Sequence, residues 1–401
     1  MCVSGCIKRQ TKTPVDESPV VRVRLVAGAD SVKLTSGGAW RVTLVTRAGV
    51  TPVDASNFAG RTFDVELGSS NVWQVGGAAL GSIQNAELWI VPESVGTLAI
   101  SGKRYRGAVR LVPVAGGKFD VVNELTIDDY LKGVVPREMP AGWGIEALKT
   151  QACVARTYAL FEARQRVGTR HWDLFADVRS QVYGGMDAEK PSTNRAVDET
   201  AGLVVAAPNT AGQLRIFKAY FSSCCGGVTQ TAADAFDDAD VKVFESQDVG
   251  ELCRESSRFR WADRVYAKSE LTQRMRAWGK NQGNPIGTMG TLERMDVLRN
   301  NPQGRPAEFV VSDAAGVRFR LTSEQARWAM NTNRPAGEEA IYSGFFTPVS
   351  DGNSIRLTQG RGWGHGVGMC QWCAKARADK GLGFEQIVRQ SYPSAELVRA
   401  Y

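Results

Sequence analysis

The period of the hydrophobic pattern changes once, at Ile127, and no other feature of this chain constrains its fold as much. Before that point apolar and polar residues alternate: Val21-Arg22-Val23-Arg24-Leu25-Val26, Trp40-Arg41-Val42-Thr43-Leu44, Ala86-Glu87-Leu88-Trp89-Ile90-Val91 and Ala108-Val109-Arg110-Leu111-Val112. A period of two sends successive side chains to opposite faces, as in half-buried strands. Turns such as Ser36-Gly37-Gly38 punctuate the runs. Residues 20–115 therefore read as mostly β, followed by a hairpin over Phe119 to Leu125.

After Ile127 the spacing becomes helical. Asp128 to Leu131 opens a short helix. A strong helix is expected from Trp143 to Arg166, where Ile145, Leu148, Ala152, Ala155 and Ala159 recur at steps of three and four and bury one face. Cys153, inside it, reads as a small core residue. Further helices are expected over Ser192–Thr200 with Ser192 as N-cap, and over Glu270–Trp278, Ser323–Ala329, Met369–Lys380 and Phe384–Ser391. Strands are expected at Leu203–Val205, Arg215–Phe221, Leu292–Leu298 and Glu308–Leu321, with residues 235–255 an acidic surface loop. The fold class is α+β, a β-rich N-terminal region followed by a mixed α/β domain with a cleft. The expected division is a tail at 1–18, a β-rich domain at 19–115 and a second domain at 116–401.

The chain has 401 residues, 43% hydrophobic and 23% charged, which is ordinary for a globular protein and long enough for two or three domains. No run approaches the roughly eighteen apolar residues that a membrane span needs. The net charge of +7 suits an anionic polymer such as cell wall; nothing else points to nucleic acid. Val3-Ser4-Gly5-Cys6 has the form of a bacterial lipobox, which makes a lipid anchor the expected link to a membrane; a chance tetrapeptide is the alternative. Residues 7–18 are polar and proline-bearing, as a tether would be. The location expected is the cell envelope.

Glu138 is the sharpest candidate for chemistry. It lies between Pro136 and Pro140, which stiffen the segment, among Val134, Val135 and Met139. Partial burial would raise its pKa and let it hold a proton near neutral pH. A helix-dipole or surface role is the alternative, which Glu146, in a first helical turn, fills more plainly. Gly362-Trp363-Gly364-His365-Gly366-Val367-Gly368 sets one of only two histidines among four glycines. Such a loop can press an imidazole against a ligand with little bulk around it, or can be a tight turn in which His365 satisfies local backbone. Two further stretches, Ser180-Gln181-Val182-Tyr183-Gly184-Gly185 and Tyr220-Phe221-Ser222-Ser223-Cys224-Cys225-Gly226-Gly227-Val228-Thr229, combine hydroxyls, rings and free amides of the kind that sugar recognition uses. Eight cysteines are too few for a disulfide scaffold. Cys225, Cys253, Cys370 and Cys373 suggest a thiolate metal site with Cys370-x-x-Cys373 as one corner, a pair of disulfides, or free thiols.

Val-Val-Pro-Arg-Glu-Met-Pro, then Gln-Ala-Cys-Val-Ala-Arg-Thr-Tyr, Gln-Val-Tyr-Gly-Gly, Tyr-Phe-Ser-Ser-Cys-Cys-Gly-Gly-Val-Thr and Gly-Trp-Gly-His-Gly-Val-Gly-Met-Cys-Gln, in that order, resemble the SpoIID/LytB family of bacterial cell-wall proteins. The resemblance covers about Val121 to Tyr392. It implies a peptidoglycan lytic transglycosylase in which Glu138 is the single catalytic acid and base, acting on glycan strands with no cofactor required, although zinc is allowed. It also implies a groove to which Arg156, Ser180, Tyr183, Tyr220, Ser222, Ser223, Thr229, His365 and Gln371 contribute substrate contacts. Some relatives look instead like enhancers of cell-wall amidases, which makes an amidase the alternative partner. Ser222 stands where many members carry histidine, and Cys224, Cys225 and Cys373 replace small or polar residues.

Overall fold

In the computed structural model, which describes residues 18–54, 60–68, 70–93, 97–236, 238 and 242–401, the alternating segments are strands. Apart from Ser18 the expected tail, with Cys2 and Cys6, lies outside the described residues. Strand Val20–Ala29 pairs antiparallel with Lys118–Thr126, which pairs in turn with Ala108–Val114; Glu87–Pro92, Trp40–Thr46 and Gly49–Val53 extend this sheet. A second sheet is built on Ser31–Ser36, flanked by Leu98–Ile100 and Thr62–Leu67. The two face each other, with Trp40, Val42, Leu88 and Ile90 of the first against Phe63, Val65 and Val75 of the second. That burial of one face per strand is what the alternation demands.

Phe119 to Leu125 is one strand, not a hairpin by itself. It runs in register with the preceding strand from Ala108↔Glu124 to Val114↔Lys118. The expected boundary at 115/116 thus falls in the turn between two paired strands. The apolar core continues without a break from this sheet into the helices that follow, through Ile127, Tyr130, Leu131, Val134, Val135, Ala152, Ala155 and Ala159.

Helix α1 spans Ile127–Glu138, much longer than the sequence suggests, with Thr126 accepting from the Asp129 amide at its start. Pro136 lies inside it. In the last turn a proline removes only one helical hydrogen bond, so the helix carries on to Glu138. Helix α2, Ile145–Arg166, is buried on nearly all sides between Ala147 and Leu160 rather than on one face, because α1, the later helices and a strand all pack on it. Helix α3, Pro191–Glu199, starts on a proline with Lys190 at the cap; Ser192 is not the cap but donates to the Ala141 carbonyl at 2.7 Å. Helix α4, Ala232–Phe236, and the buried Val243, Phe244 and Cys253 replace part of the expected surface loop.

Residues 261–357 form a unit with its own apolar cluster, including Leu271, Met275, Phe309 and Phe346. It contains helix α5, Lys268–Gln282, the meander Leu292–Asn300, Pro306–Asp313 and Arg318–Thr322, and helix α6, Ser323–Asn331. The chain then returns to α2 through helices α7, Gln371–Asp379, and α8, Phe384–Ser391. Glu146 helps fasten this return: its carboxylate accepts from the Phe384 amide at 2.8 Å, at the start of α8, and pairs with Lys149 at 3.2 Å. The architecture is α+β.

Candidate active site

Glu138 is the last residue of α1 and is half-buried. Its Oε1 accepts the Val182 amide at 3.0 Å, and the Gln371 side chain also donates to it. Burial raises its pKa above the ordinary carboxylate value, and these two donors only partly offset that. The negative end of the α1 dipole acts in the same sense as burial. Tyr130 and Tyr158 are close by: burial first, with the Glu138 charge among the further causes, raises both phenols.

Two structures hold these donors. Gln371 opens α7, and its Nε2 also donates to Gln151 Oε1 of α2 at 3.2 Å. An amide nitrogen has two hydrogens, so Gln371 can bridge Gln151 and Glu138. Val182 is presented by the Gln181-Val182-Tyr183-Gly184-Gly185 turn, which lies directly on α1. The Gly184 amide donates to the Gly133 carbonyl at 3.0 Å. A Cβ on Gly133 would lie 2.5 Å from the Tyr183 ring, so the close approach needs glycine there.

This arrangement corrects several expectations. Tyr183 is almost wholly buried: its ring fills the space over Gly133, its hydroxyl donates to Asn123 at 2.9 Å, and it is 7% exposed, the remainder lining a cavity with Arg24, Tyr105 and Arg179 whose walls do not include Glu138. Arg156 is fully buried, with its guanidinium on Asp128 at 2.8 and 3.0 Å and on the Val197 and Leu203 carbonyls. Asp128 opens α1, about 15 Å of helix away from Glu138. Both residues are structural. The buried Thr229 hydroxyl accepts from the Gln247 amide at 2.7 Å, and Ser180 accepts from the Phe175 amide at 3.2 Å. These two groups order their own loops.

The glycine loop is built differently from α1. Its backbone pairs with the Ser-Ser-Cys-Cys-Gly-Gly turn through Cys224 and Trp363 (3.0 and 2.7 Å) and through Gln230 and Gly366 (3.0 Å). Ser222, buried, accepts from the Gly366 amide at 3.1 Å. His365 is the turn residue of the second alternative: its Nδ1 accepts from the Val367 amide at 3.0 Å. Its ring packs between Tyr220 and Phe236, at 5.7 and 5.2 Å between centroids. Burial, with Arg327 and then Arg305 adding to it, lowers its pKa to about 3, so the imidazole is neutral at working pH. No hydrogen bond joins it to Glu138 among the described residues. Arg305 anchors the loop from beneath. It is fully buried, and its Nη atoms donate to the carbonyls of Cys225, Val228 and His365 at 3.0, 2.9 and 3.2 Å.

Ser223 does come close to the acid's surroundings. Strand Phe221–Ser222 runs parallel to Met369–Cys370, so the Ser223 carbonyl accepts from the Trp372 amide at 3.1 Å, beside Gln371. The Ser223 hydroxyl is half-buried and makes no hydrogen bond among the described residues. Tyr220, also half-buried, stacks on Phe236 at 4.9 Å and donates to Asp238. Two residues that the sequence reading passed over complete the site. Trp372, next to Gln371, meets Trp143 edge-on at 5.0 Å, and both are half-buried. A tryptophan in the turn after Pro140 was the signal available. The thiols of Cys225, Cys253, Cys370 and Cys373 also converge, all buried and all within 4.8 Å of one another. No disulfide forms among the described cysteines. A half-buried carboxyl with a raised pKa, an amide that donates to it, and nearby apolar rings can protonate an ether oxygen and then take a proton back.

Residues 115–206 match the family described as Stage II sporulation protein, and residues 221–368 match a Domain of unknown function (DUF8618). Glu138 and Val182 lie in the first match, and His365 in the second. An uncharacterized protein of Brachyspira hyodysenteriae is 28% identical over 77% of this chain and 76% of its own. The amidase enhancer of Bacillus subtilis is 26% identical over 77% of this chain, which spans only 46% of that longer protein. Stage II sporulation protein D of Bacillus subtilis is 24% identical over 72% of this chain and 79% of its own.

Proposed function

We propose that this chain, which belongs to the SpoIID/LytB family, is a peptidoglycan lytic transglycosylase of the cell envelope, with Glu138 as its only acid and base. One observation carries the reading: Glu138 is a carboxyl pushed toward its protonated form at the rim of the core, while keeping hydrogen-bond partners that tolerate either state. Such a group donates its proton to the oxygen linking N-acetylmuramic acid to N-acetylglucosamine. The C1–oxygen bond breaks, and the electron pair leaves with the protonated oxygen. The carboxylate then accepts the proton of the muramic 6-hydroxyl as that oxygen closes on C1 to give a 1,6-anhydro ring. The proton count closes with no water consumed. The nucleophile belongs to the substrate, so the paired carboxylates of most glycoside hydrolases are not required. Gln371 orients the carboxylate. The half-buried Trp143 and Trp372 offer apolar ring surface to sugar faces, and Ser223 and Tyr220 supply polar contacts further along.

The match to a protein named amidase enhancer motivates a second reading, in which the chain binds glycan and assists a cell-wall amidase without cutting. Mass spectrometry of purified glycan strands, stripped of stem peptides and incubated with the full chain, separates the two. Transglycosylase action gives muramic ends one water lighter than hydrolysis, and Glu138→Ala gives none. Strands left intact by the wild-type chain, or cut equally by Glu138→Ala, would reject the enzyme.

A further inference from the structure

The four convergent thiols lie where no step of the proposed reaction uses them. Cys225 Sγ is 3.7 Å from Cys253 Sγ and 3.9 Å from Cys373 Sγ. Four sulfurs bonded to one tetrahedral zinc at about 2.3 Å would stand about 3.8 Å apart. A disulfide would need about 2.0 Å. Two backbone amides, those of Cys225 and Cys373, donate to Cys370 Sγ at 3.3 and 3.4 Å and fix that sulfur at the centre of the cluster. The buried Arg305 guanidinium lies beside the cluster. Glu324 is the first charge that acts on it and the Cys225 thiol the next, and no carboxylate oxygen lies within 4.0 Å of it among the described residues. A buried cation needs a counter-charge, and Arg305 donates to the carbonyl of Cys225 itself. Four thiolates around a divalent ion carry a net charge of minus two.

We propose that Cys225, Cys253, Cys370 and Cys373 bind one structural zinc ion, which clamps the Ser223 turn to the first turn of α7 and so holds Gln371 and Trp372 in place beside Glu138. The site is closed: four protein ligands leave no position for substrate. Its placement gives it a purpose. Cys225 stands two residues after the Ser222-Ser223 pair, Cys370 and Cys373 bracket Gln371 and Trp372, and Cys253 ties in the loop that packs beside them. The chelate would also shield thiols that an oxidising envelope would otherwise pair. The positioning part of this inference rests on the reading of Glu138; the metal part does not.

The test starts from the full chain purified without added metal. Elemental analysis should find about one zinc per chain, and cobalt exchanged for it should give the intense sulfur-to-metal absorption of a tetrahedral thiolate site. Cys253→Ser should lose the metal, whereas Cys224→Ser, whose thiol lies outside the set of four, should keep it. Should Cys253→Ser fail to fold, release of zinc from the wild-type chain by a thiol-specific mercurial, read with a colorimetric chelator, gives the same answer. Hydrogen exchange across 369–375 should quicken on metal removal, while that of α2 between Ala152 and Leu160 should not. Metal-free protein with reduced thiols, two disulfides found by mass, iron in place of zinc, or unchanged exchange across 369–375 would each overturn the proposal. Zinc bound to a protein that cuts no glycan would leave the metal site standing and reject only the reading of Glu138.

Discussion

The segment that carries Glu138 and the loop that carries His365 are built by opposite means. Glu138 ends a capped helix whose inner face, Tyr130, Leu131, Val134 and Val135, is part of the main apolar core. His365 sits where helix and strand are nearly absent. Its loop is held by backbone pairing, a buried arginine and glycines that let chains approach. At Gly366, with φ +70°, an added Cβ would run into the Arg305 guanidinium. The difference teaches where reactivity can reside. Burial drives both groups toward their neutral forms, the Glu138 carboxyl upward and the His365 imidazole down to about 3. For a carboxyl the neutral form is a proton donor, whereas the neutral His365 commits its Nδ1 to the Val367 amide of its own turn.

The largest expected effect separates the two regions outright. Glu138→Gln keeps an acceptor for the Val182 amide but cannot donate a proton, so the initial rate of anhydro-end formation should fall about 10²–10⁴-fold. The same variant should melt no lower than wild type at pH 8. A raised carboxyl pKa contributes stability below the unfolded value, and that contribution is lost as pH rises through the folded one. Arg305→Met should do the reverse. It strands three buried carbonyls, which costs about 3 kcal/mol, seen as a lower denaturation midpoint by circular dichroism.

A smaller effect comes from His365. With the folded pKa lowered to about 3, protons bind the unfolded chain first as pH falls below about 6.5. The His365 contribution to stability is therefore present above that value and lost between about 6.5 and 3. His365→Asn should flatten this part of a plot of melting temperature against pH. The smallest effect tests the bridge between regions. Gln371→Leu removes a donor to the charged carboxylate, so the Glu138 pKa should rise further and the alkaline limb of the activity profile should move to higher pH.

Much of this is legible in the sequence, and the exceptions have physical causes. Alternation gave the strands because each buries one face. Glu138 stood out because two prolines bracket an acid among apolar residues. Pro136 hid the true length of α1, since a proline reads as a helix stop although a last turn tolerates it. Tyr183 and Arg156 misled for a common reason. An aromatic before paired glycines, or an arginine in an alanine-rich helix, reads the same in sequence whether it faces a ligand or fills the space over Gly133 or beside Asp128. The Gln151–Gln371 bridge and the Trp143–Trp372 pair join residues far apart in sequence, so no local spacing announces them. All four cysteines, Cys225, Cys253, Cys370 and Cys373, could be named from the sequence, but their irregular spacing left a metal site, disulfides and free thiols equally open until the fold brought the sulfurs within 4.8 Å of one another.

The account stands on the protonation state of one carboxyl. An infrared difference titration of the full chain, wild type minus Glu138→Gln with isotope-labelled glutamate, reads that group directly. The account predicts a midpoint above the ordinary glutamate value of about 4.3; a midpoint at or below it would contradict the claim that Glu138 carries the proton.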